Sequence, residues 1–507
     1  MRTASKLLTL LFLAVGLHSA SAFSLLGPFE PWMTTNLGFN NPFVGTVDIG
    51  GPKNFGEGYR WNVPVITYGF DESFLNYFGS NGVAAVESAI QVFNDLPPAS
   101  ATNMNGYLTD TRRVNYTADQ QSLYDLKSAA MGLIIEQLGL ASPSRFVFTL
   151  RNYGGEFNST VLMLSFDPAA LAPSPYVNGD FYNYEVAYYP YLAQSSFCVT
   201  HPADPEQYPT SFDAVADFTY FPNYFNVTGL SPYYYYTGLT RDDVGGLSYL
   251  YGTNNFAPEN LIPGVHGVGR HARDYVNLAV RPGVGKVTFQ RLAYDERRDK
   301  FRPKTIRYVD YYLTNNAIQH QILEREIKQP DILFTSAHLG FDEYSRTGTS
   351  NWVNNGAPSQ GGPGVIQPPV TINFGPLTSF SEHVGTGYSS PSNFYFEPQR
   401  WGSFDGTTNA PIVYPTDSIK NNSSLVYFNL GRLLQSIYGT PFYYAPPPFE
   451  TTWPLTGEHG KVFLLQTSTN LSDWVTITTV TNNGQDLSYS DQVLPGTPQR
   501  FYRVSPQ

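Results

Sequence analysis

Hydrophobic positions in the first third of the chain follow two different periods, and each period predicts a different element. Val63 to Phe70 (VPVITYGF) is a short run of β-branched and aromatic residues, which predicts a strand. Pro97-Pro98 closes the next segment, and Ser80 or Asn81 is suited to cap a helix at its start. Between them the apolar residues recur every three or four positions, as on one face of a helix: Val83, Val86, Ile90 and Phe93.

A second helix is predicted downstream by another apolar stripe, made of Leu123, Leu126, Ala130, Leu133 or Ile134, and Leu138. Either Thr117 with Gln120 or Ser122 with Asp125 has the spacing of a capping box at its start. Gly139 suits the C-terminal end of the helix, and Pro143 prevents its continuation.

Weaker patterns place the remaining elements of the first half. Arg145 to Arg151 (RFVFTLR) predicts a strand, and Arg241 to Tyr251 (RDDVGGLSYLY) predicts a short helix. Asp242 and Asp243 lie in the first turn of that helix, where the helix dipole favours acidic side chains. Phe23 to Tyr59 is rich in Gly, Pro, Asn and Phe, and is predicted to be an irregular lead-in.

The second half of the chain is predicted to be mostly strand, with long loops between the strands. Asn422 to Tyr438 has the apolar spacing of one helix. The strand signals lie at 287–289, 306–313, 332–334, 370–374, 426–430, 462–466, 474–480, 487–490 and 500–504.

The first residues have the layout of a signal peptide. Arg2 and Lys6 are positive, Leu7 to Gly16 is a short apolar run, and Ala20-Ser21-Ala22 offers the small residues of a cleavage site. We therefore expect cleavage after about Ala22, and a secreted, outer-surface or periplasmic location. The run is too short to span a bilayer, which requires about 20 apolar residues, so no transmembrane segment is expected after cleavage.

Composition narrows the classes of partner. The formal net charge is -11. Removal of segment 1–22, which contains Arg2 and Lys6 but no acidic residue, makes the charge more negative. Because phosphate binding requires a basic surface, nucleic acid is not an expected partner. Aromatic residues make up 15% of the chain, including 37 Tyr and 35 Phe, which favours β-rich packing. Cys198 is the single cysteine, so it can form neither an intramolecular disulfide nor a cysteine-based zinc site.

Two segments resemble known families. The order of features in LLQTSTNLSDWVTITTV, YSDQ and PQRFYRV resembles a small C-terminal β-sandwich module of exported bacterial proteins. The strand ITYGF, the two helices after it, and Asp242-Asp243-Val244-Gly245-Gly246-Leu247 with Leu250-Tyr251-Gly252 resemble the matrixin branch of the metzincins. Taken with the signal peptide at 1–22 and the strand signals of the second half, they imply an α+β fold: a metzincin-like domain at 23–255, a β-rich middle domain at 256–455 and a β-sandwich at 456–507.

The zinc motif of that family, His-Glu-x-x-His-x-x-Gly-x-x-His, is degenerate here. With Gly139 aligned to the family's glycine, Gly132 stands at the first ligand, Leu133 at the general base, Glu136 at the second ligand and Ser142 at the third. Glycine has no ligand atom and leucine cannot accept a proton from metal-bound water. The resemblance therefore implies that the scaffold is retained and that these positions are not catalytic. A plain core helix unrelated to metzincins is the other reading of the same segment.

Other residues offer only speculative sites. His266 and His271, with Asp274, lie close together in a Gly-containing loop, but their spacing is not that of a standard ligand pair. Acid pairs for glycoside hydrolysis remain open, with Asp213 and Asp217, or Asp342 and Glu343, as candidates. No cofactor is expected, while zinc and calcium are left open.

Three functions follow from these observations. The first is an exported non-catalytic protein that binds an unknown extracellular protein or polysaccharide, or has a structural role at the cell surface. The second is a divergent zinc metalloendopeptidase with unconventional ligands, such as His201, His266 or His271. The third is a carbohydrate-binding or carbohydrate-active protein that uses exposed Tyr and Trp, for which the six tryptophans are Trp32, Trp61, Trp352, Trp401, Trp453 and Trp474.

Overall fold

The computed structural model has a strand-rich α+β fold. It describes residues 22–39, 49–121, 123–155, 158–189, 195–204, 214–217, 233–295, 300–336, 351–354, 362–374, 378–381, 395–398, 400–414, 449–453, 460–468, 473–482, 487–491 and 501–506. The chain divides into two compact units, Met1–Ser379 with Pro398–Ser423, and Phe380–Glu397 with Ser424–Gln507.

The helices and strands are numbered separately in chain order. The helices are α1 Glu72–Asn94, α2 Tyr116–Asp119, α3 Leu126–Gln137, α4 Pro143–Phe146 and α5 Arg241–Tyr251. The strands up to residue 260 are β1 Ser24–Gly27, β2 Gly51–Lys53, β3 Tyr59–Arg60, β4 Val65–Phe70, β5 Arg112–Val114, β6 Leu123–Asp125, β7 Leu140–Ala141, β8 Phe148–Asn152, β9 Thr160–Met163, β10 Phe166–Asp167, β11 Ala172–Pro173, β12 Tyr176–Val177, β13 Asp180–Tyr189, β14 Ser195–Pro202, β15 Tyr234–Tyr236 and β16 Ala257–Asn260. The later strands are β17 Val265–Gly267, β18 Leu278–Arg281, β19 Thr288–Arg291, β20 Tyr294–Asp295, β21 Lys300–Phe301, β22 Lys304–Thr314, β23 Ala317–Ile327, β24 Ile332–Thr335, β25 Asn351–Asn354, β26 Gly364–Gln367, β27 Val370–Asn373, β28 Thr378–Ser381, β29 Tyr395–Pro398, β30 Arg400–Ser403, β31 Ile412–Val413, β32 Phe449–Trp453, β33 Val462–Ser468, β34 Val475–Thr481, β35 Leu487–Asp491 and β36 Phe501–Pro506.

A four-stranded parallel sheet forms the centre of the first unit, in the order β19-β4-β24-β27. Its inner strand β4 is the strand predicted from VPVITYGF, and Ile66 and Phe70 on it are buried. Parallel strands are usually covered on both faces, which explains the nearly continuous apolar sequence of β4. The strand signals at 287–289, 332–334 and 370–374 are likewise confirmed as β19, β24 and β27.

The predicted domain boundary at 255/256 does not separate two sheets. β4 lies before the boundary, and its two neighbours, β19 and β24, lie after it. A buried ion pair also crosses it, because Arg60 Nε lies 2.7 Å from Glu259 Oε1. Residues on both sides of position 255 therefore share one core within the first unit.

Helix α1 is longer than predicted and changes direction at Gly79, whose φ of 58° and ψ of −159° are not helical. Asp71 caps its first part by accepting the N–H of Phe74. The second part begins after Gly79 and ends at Asn94, so the predicted capping residues Ser80 and Asn81 lie within the helix, at the start of this part. The predicted apolar positions Val83, Val86, Ile90 and Phe93 are all buried.

Helix α3 differs from the amphipathic helix that the stripe predicted. Apart from Lys127 and Glu136, every residue from Leu126 to Gln137 is buried, so the helix is enclosed on almost all sides. Asp125 is its N-cap and accepts the N–H of Ser128, whereas the predicted capping box had Ser122 as the cap and Asp125 three residues later. Leu123 precedes the helix and belongs to β6. Ser122 lies outside the described residues.

Two further predictions have mixed outcomes. The short helix predicted at Arg241 to Tyr251 is confirmed as α5, with a capping box between Thr240 and Asp243. The segment Arg145 to Arg151 instead begins in helix α4 and reaches a strand only at Phe148. Phe23 to Tyr59 is not wholly irregular, because it contains the fully buried strand β1, which pairs with β2 and β7.

A second large sheet of the first unit has five strands, in the order β16-β18-β22-β23-β17. It is dominated by the hairpin β22–β23, which contains the strand predicted at 306–313. Arg281 and Asp310 form a buried ion pair within this sheet, with Nε and Oδ1 2.9 Å apart.

In the second unit the four strands predicted near the C-terminus are confirmed as β33, β34, β35 and β36. β33 pairs with both β34 and β36, while β35 pairs with β32. Because β32 begins at Phe449, this arrangement starts before the predicted boundary at 456. The strand predicted at 426–430 and the helix predicted within Asn422 to Tyr438 lie outside the described residues.

Candidate functional site

The five positions that the sequence analysis aligned with the zinc motif lie along α3 and just beyond its C-terminal end. Gly132 and Leu133 are buried inside the core, where Leu133 is 5% exposed. Glu136 is half-buried one turn later. Gly139 ends the helix, and Ser142 is the N-cap of α4. Of these positions, only Glu136 and Ser142 carry a side chain with oxygen atoms.

Ser142 belongs to a buried polar network at this end of α3, which we call the Asp217 network: Ser142, Ser144, Ala214 and Asp217. The Ser142 hydroxyl donates to Oδ1 of Asp217. The same oxygen accepts the Ser144 hydroxyl at 2.6 Å and the Ser144 N–H at 3.0 Å, while Oδ2 accepts the Ala214 N–H at 3.1 Å. Asp217 is completely buried, and these donors compensate for the loss of water around its carboxylate.

The short 3-10 turn Val215–Asp217 that carries Asp217 is held from the other side by α5. Asp243 accepts the N–H groups of Val215 and Ala216 at 2.9 and 3.0 Å, and also the Thr240 hydroxyl at 2.6 Å. Burial is the main cause that raises the pKa of Asp243, and the hydrogen bonds oppose that rise. Two buried aspartates therefore fix this turn against α4 and α5.

Aromatic side chains satisfy the last carbonyl groups of α3. Trp61 Nε1 donates to the Gln137 carbonyl at 2.7 Å, and the Tyr251 hydroxyl donates to the Leu138 carbonyl at 2.9 Å. Helix ends leave such carbonyls without intrahelical partners, so both bonds replace contacts with water. Gly139 follows with φ of 98°, and a Cβ atom there would lie 2.0 Å from the Tyr59 carbonyl oxygen.

The other end of α3 also contains a buried acid. Asp125 is 2% exposed; its Oδ2 accepts the Ser128 N–H and hydroxyl, and its Oδ1 accepts the Phe404 N–H. Burial raises the pKa of Asp125 to about 6, although these hydrogen bonds and Lys127 favour the charged form. The sequence indicated Asp125 only as the second member of a capping box with Ser122.

The speculative loop site is not assembled as a metal site. His266 is exposed on β17, and His271 belongs to the following turn, where its Nε2 lies 2.9 Å from Arg270 Nε. Asp274 is exposed beyond that turn. Within the part of the chain that the structure describes, no group of three or more His, Cys, Asp or Glu side chains is arranged to hold a metal.

The remaining candidates are dispersed. His201 is half-buried on β14, as is Cys198, and burial raises the pKa of the Cys198 thiol to about 12. Asp217 has the buried role described above, while its proposed partner Asp213 and the pair Asp342-Glu343 lie outside the described residues.

The tryptophans do not line one groove among the side chains that the structure describes. Trp61 and Trp401 are in the core, at 0% and 1% exposed. Trp32 is half-buried beneath Arg151, whose guanidinium carbon lies 4.4 Å from the ring centroid. Arg503 covers half-buried Trp474 in the same way at 4.1 Å. The side chains of Trp352 and Trp453 lie outside the described residues.

Sequence reasoning missed most of the residues that meet at the end of α3. Ser144 and the turn Val215–Asp217 carried no motif, because their roles depend on contacts with residues far away along the chain; Ser144 and Asp217 are 73 positions apart. A local signal existed only for Ser142, because serine before proline, as in the Ser-Pro-Ser sequence at 142–144, is typical of a helix N-cap.

Comparisons of the chain with protein-family models, with curated proteins and with solved structures found no match. None of the helices in the described ranges is long and apolar enough to cross a membrane.

Proposed function

We propose that this chain is an exported, non-catalytic protein in which a matrixin-like scaffold, without a zinc site, serves binding or has a structural role at the cell surface. The Asp217 network carries the proposal. The residue that aligns with the third zinc ligand is Ser142, and its hydroxyl donates to the buried Asp217 carboxylate. In the resembled family a zinc ion would link the helix to the residue at this position. Here hydrogen bonds from Ser142 and Ser144 to the Asp217 carboxylate make the connection.

The two helix positions support the same proposal. Gly132 offers no ligand atom, and Leu133 is an apolar side chain packed in the core. A catalytic zinc site requires three protein ligands and a base that takes a proton from bound water. Glu136 alone supplies one carboxylate. Because we propose that the chain is exported and has no zinc site, the partner that we expect is an extracellular protein or polysaccharide.

The experiment is a zinc measurement on the purified chain by elemental mass spectrometry, together with casein digestion with and without a chelator. We expect far less than one zinc per chain and no digestion. One zinc per chain with chelator-sensitive digestion would overturn the proposal and favour the divergent metalloendopeptidase.

A matched variant separates the two functions further. Replacing His201, His266 and His271 together by Ala removes the unconventional ligands that the metallopeptidase would need. We expect this variant to have the same zinc content and the same casein result as the unchanged chain. A fall in bound zinc in the variant would contradict the non-catalytic proposal.

One surface supports carbohydrate binding as a second candidate. Tyr184 and Tyr188 on β13 are 44% and 46% exposed. The Tyr188 ring is nearly parallel to that of Tyr153, with centroids 5.6 Å apart and planes at 9°. Exposed aromatic faces in a row can stack on sugar rings.

Co-sedimentation with insoluble cellulose and chitin tests this second candidate. Replacing Tyr184 and Tyr188 by Ala should reduce the bound fraction, whereas Tyr116→Ala, at a residue 60% exposed elsewhere, should not. No sedimentation of the unchanged chain with either polysaccharide would leave carbohydrate binding without support.

A further inference from the structure

The five-stranded sheet β16-β18-β22-β23-β17 has apolar side chains on its outward side. An antiparallel sheet that covers a core usually places its apolar side chains inward and its polar side chains outward. Here six large apolar side chains of the sheet are between 37% and 59% exposed, and we call the surface that they form the hairpin face: Leu278, Val280, Val309, Tyr311, Ile318 and Ile322. Over this stretch the usual pattern is therefore inverted.

The inward side of the same stretch is polar. Asp310 and Gln321 lie opposite each other in the hairpin β22–β23 and are 6% and 1% exposed. Asp310 accepts Arg281 Nε at 2.9 Å and Gln321 Nε2 at 2.8 Å. Gln321 Oε1 also accepts the Val276 N–H at 2.8 Å. Because these buried polar groups have hydrogen-bond partners, the sheet can keep them on its inward side at little cost.

The polar network and the hairpin turn together determine which side faces outward. Successive side chains of a strand alternate between the two sides, so a shift of one residue would move Asp310 or Gln321 out of its network. The turn at Asn315 and Asn316 has φ of 52° and 57°, as a tight two-residue hairpin turn requires. The apolar outward side is therefore fixed by the fold.

The two edges of this sheet are protected against pairing with another strand. Pro258 lies on the edge strand β16 and has no N–H to donate. On the other edge, β17 has only three residues, and the turn Gly269–His271 follows it closely. A Cβ atom at Gly267 would lie 1.9 Å from the His271 carbonyl oxygen. Another molecule would therefore meet the face of the sheet and not its edges.

We propose that the hairpin face binds the same face of a second copy of this chain. Contiguous exposed apolar surface of this kind marks an interaction site in water-exposed proteins. A two-fold axis through the face would place each apolar side chain against apolar side chains of the other copy. This inference goes beyond the proposed function and does not depend on it, because the sheet contains none of the positions aligned with the zinc motif.

The area of the sheet is sufficient for a weak dimer. β22 and β23 have 11 residues each, which at about 3.4 Å per residue corresponds to a length of about 37 Å. The hairpin with one neighbouring strand is roughly 14 Å wide, so its outward side covers about 500 Å². Two copies would together bury about 1,000 Å², the lower end for a specific contact between proteins. We therefore expect reversible association.

Charge also favours a second copy at this face. The chain has a formal net charge of -11, so many surfaces of two copies repel each other. The outward positions from Val309 to Leu313 and from Ile318 to Ile322 contain no Lys, Arg, Asp or Glu. Arg307, next to them, is paired with Glu324, with Nη2 and Oε2 2.9 Å apart. Two copies can therefore meet here without bringing like charges together.

Sedimentation velocity of the full chain, from about 1 to about 200 µM, tests the association. Ile322→Glu is compared with Leu108→Glu, which adds the same charge at an apolar residue 61% exposed elsewhere. We expect the unchanged chain and Leu108→Glu to dimerise with the same dissociation constant, and Ile322→Glu to raise that constant about tenfold or more. A monomer at every concentration would overturn the second copy as the occupant. Equal constants for all three chains would place the contact elsewhere and overturn the proposal too.

Cross-linking gives a second measurement that does not require an introduced charge to be tolerated. His320 lies opposite Tyr311 in the hairpin. With a short bismaleimide, we expect His320→Cys to form covalent dimers in higher yield than Leu108→Cys, since both retain Cys198 and differ only in the position of the new thiol. Equal yields would contradict pairing through the hairpin face.

Discussion

Gly139 shows how much one residue can constrain the end of a helix. Its φ of 98° is in the left-handed region that glycine adopts easily, and the Tyr59 carbonyl occupies the space of a side chain. Gly155 has almost the same φ, 99°, but a Cβ atom added there would meet no heavy atom within 4 Å. The two glycines therefore share a backbone conformation and differ in the space around them.

We therefore predict that Gly139→Ala lowers the free energy of unfolding by about 2 to 5 kcal/mol, from backbone strain and steric overlap together. Gly155→Ala should lower it by about 1 to 2 kcal/mol, from strain alone. Urea denaturation of both variants measures the two effects. Equal losses would mean that the contact with Tyr59 does not matter.

At Asp125 the charge state is coupled to stability. Its pKa in the folded chain is about 6, above the ordinary value of 3.8, so the folded state binds a proton more tightly than the unfolded state. The stability contributed by this group is fully present below pH 3.8 and is lost as the pH rises through about 6.

We predict that, between about pH 4 and pH 7, the free energy of unfolding falls by up to about 3 kcal/mol relative to Asp125→Asn. Asparagine does not titrate and retains a carbonyl oxygen for Ser128. Urea denaturation of both chains at several pH values measures this difference. Because the two chains share all other acids, the contributions of those acids cancel. A difference that does not change with pH would refute the raised pKa.

At the scale of elements, α3 and α5 are joined by a hydrogen bond at their ends. The Tyr251 hydroxyl on α5 donates to the Leu138 carbonyl, and Tyr251 is 4% exposed. Two residues earlier on the same helix, the Tyr249 hydroxyl accepts the Gly56 N–H at an exposed position. Burial thus distinguishes two otherwise similar tyrosines.

Tyr251→Phe should lower the free energy of unfolding by about 1 to 3 kcal/mol, because it leaves the buried Leu138 carbonyl without its donor. Tyr249→Phe should cost no more than about 0.5 kcal/mol, since water replaces the lost contact. Thermal and urea unfolding of the two variants compare them directly. A larger loss at Tyr249 would mean that burial does not control the cost.

At the scale of the whole molecule, the first unit depends on strands that are distant in sequence. β4, Val65–Phe70, is enclosed by β19, which begins at Thr288, and by β24, which begins at Ile332. Arg60, 2% exposed, also needs Glu259 to balance its charge. Removing one partner of a buried ion pair is far more costly than removing an exposed one.

We predict that the fragment 23–255 shows no cooperative unfolding transition, whereas the fragment 23–423 does. The shorter fragment exposes both edges of β4 and leaves Arg60 without its acid. Circular dichroism during urea titration, with amide exchange as a second measurement, distinguishes them. A cooperative transition in 23–255 would show that the predicted domain boundary is sufficient for folding.

The sequence by itself determined the elements whose signals are local. The strand at β4, the apolar face and stop signal of α1, the helix α5 and the four C-terminal strands were all predicted, because turn residues and hydrophobic periods depend on near neighbours. The absence of histidine at Gly132, Glu136 and Ser142 is likewise a fact of residue identity.

Only the tertiary structure decided what surrounds those elements. It enclosed α3 on nearly all sides, brought β19 and β24 to the edges of β4, joined Ser142 to Asp217, and buried the Ala22–Phe23 bond against Asp242. Ser142 and Asp217 are 75 positions apart in the sequence, and Ala22 and Asp242 are 220 positions apart. Such pairings are selected by the packing and charge balance of the whole core, for which a short stretch of sequence contains no local signal.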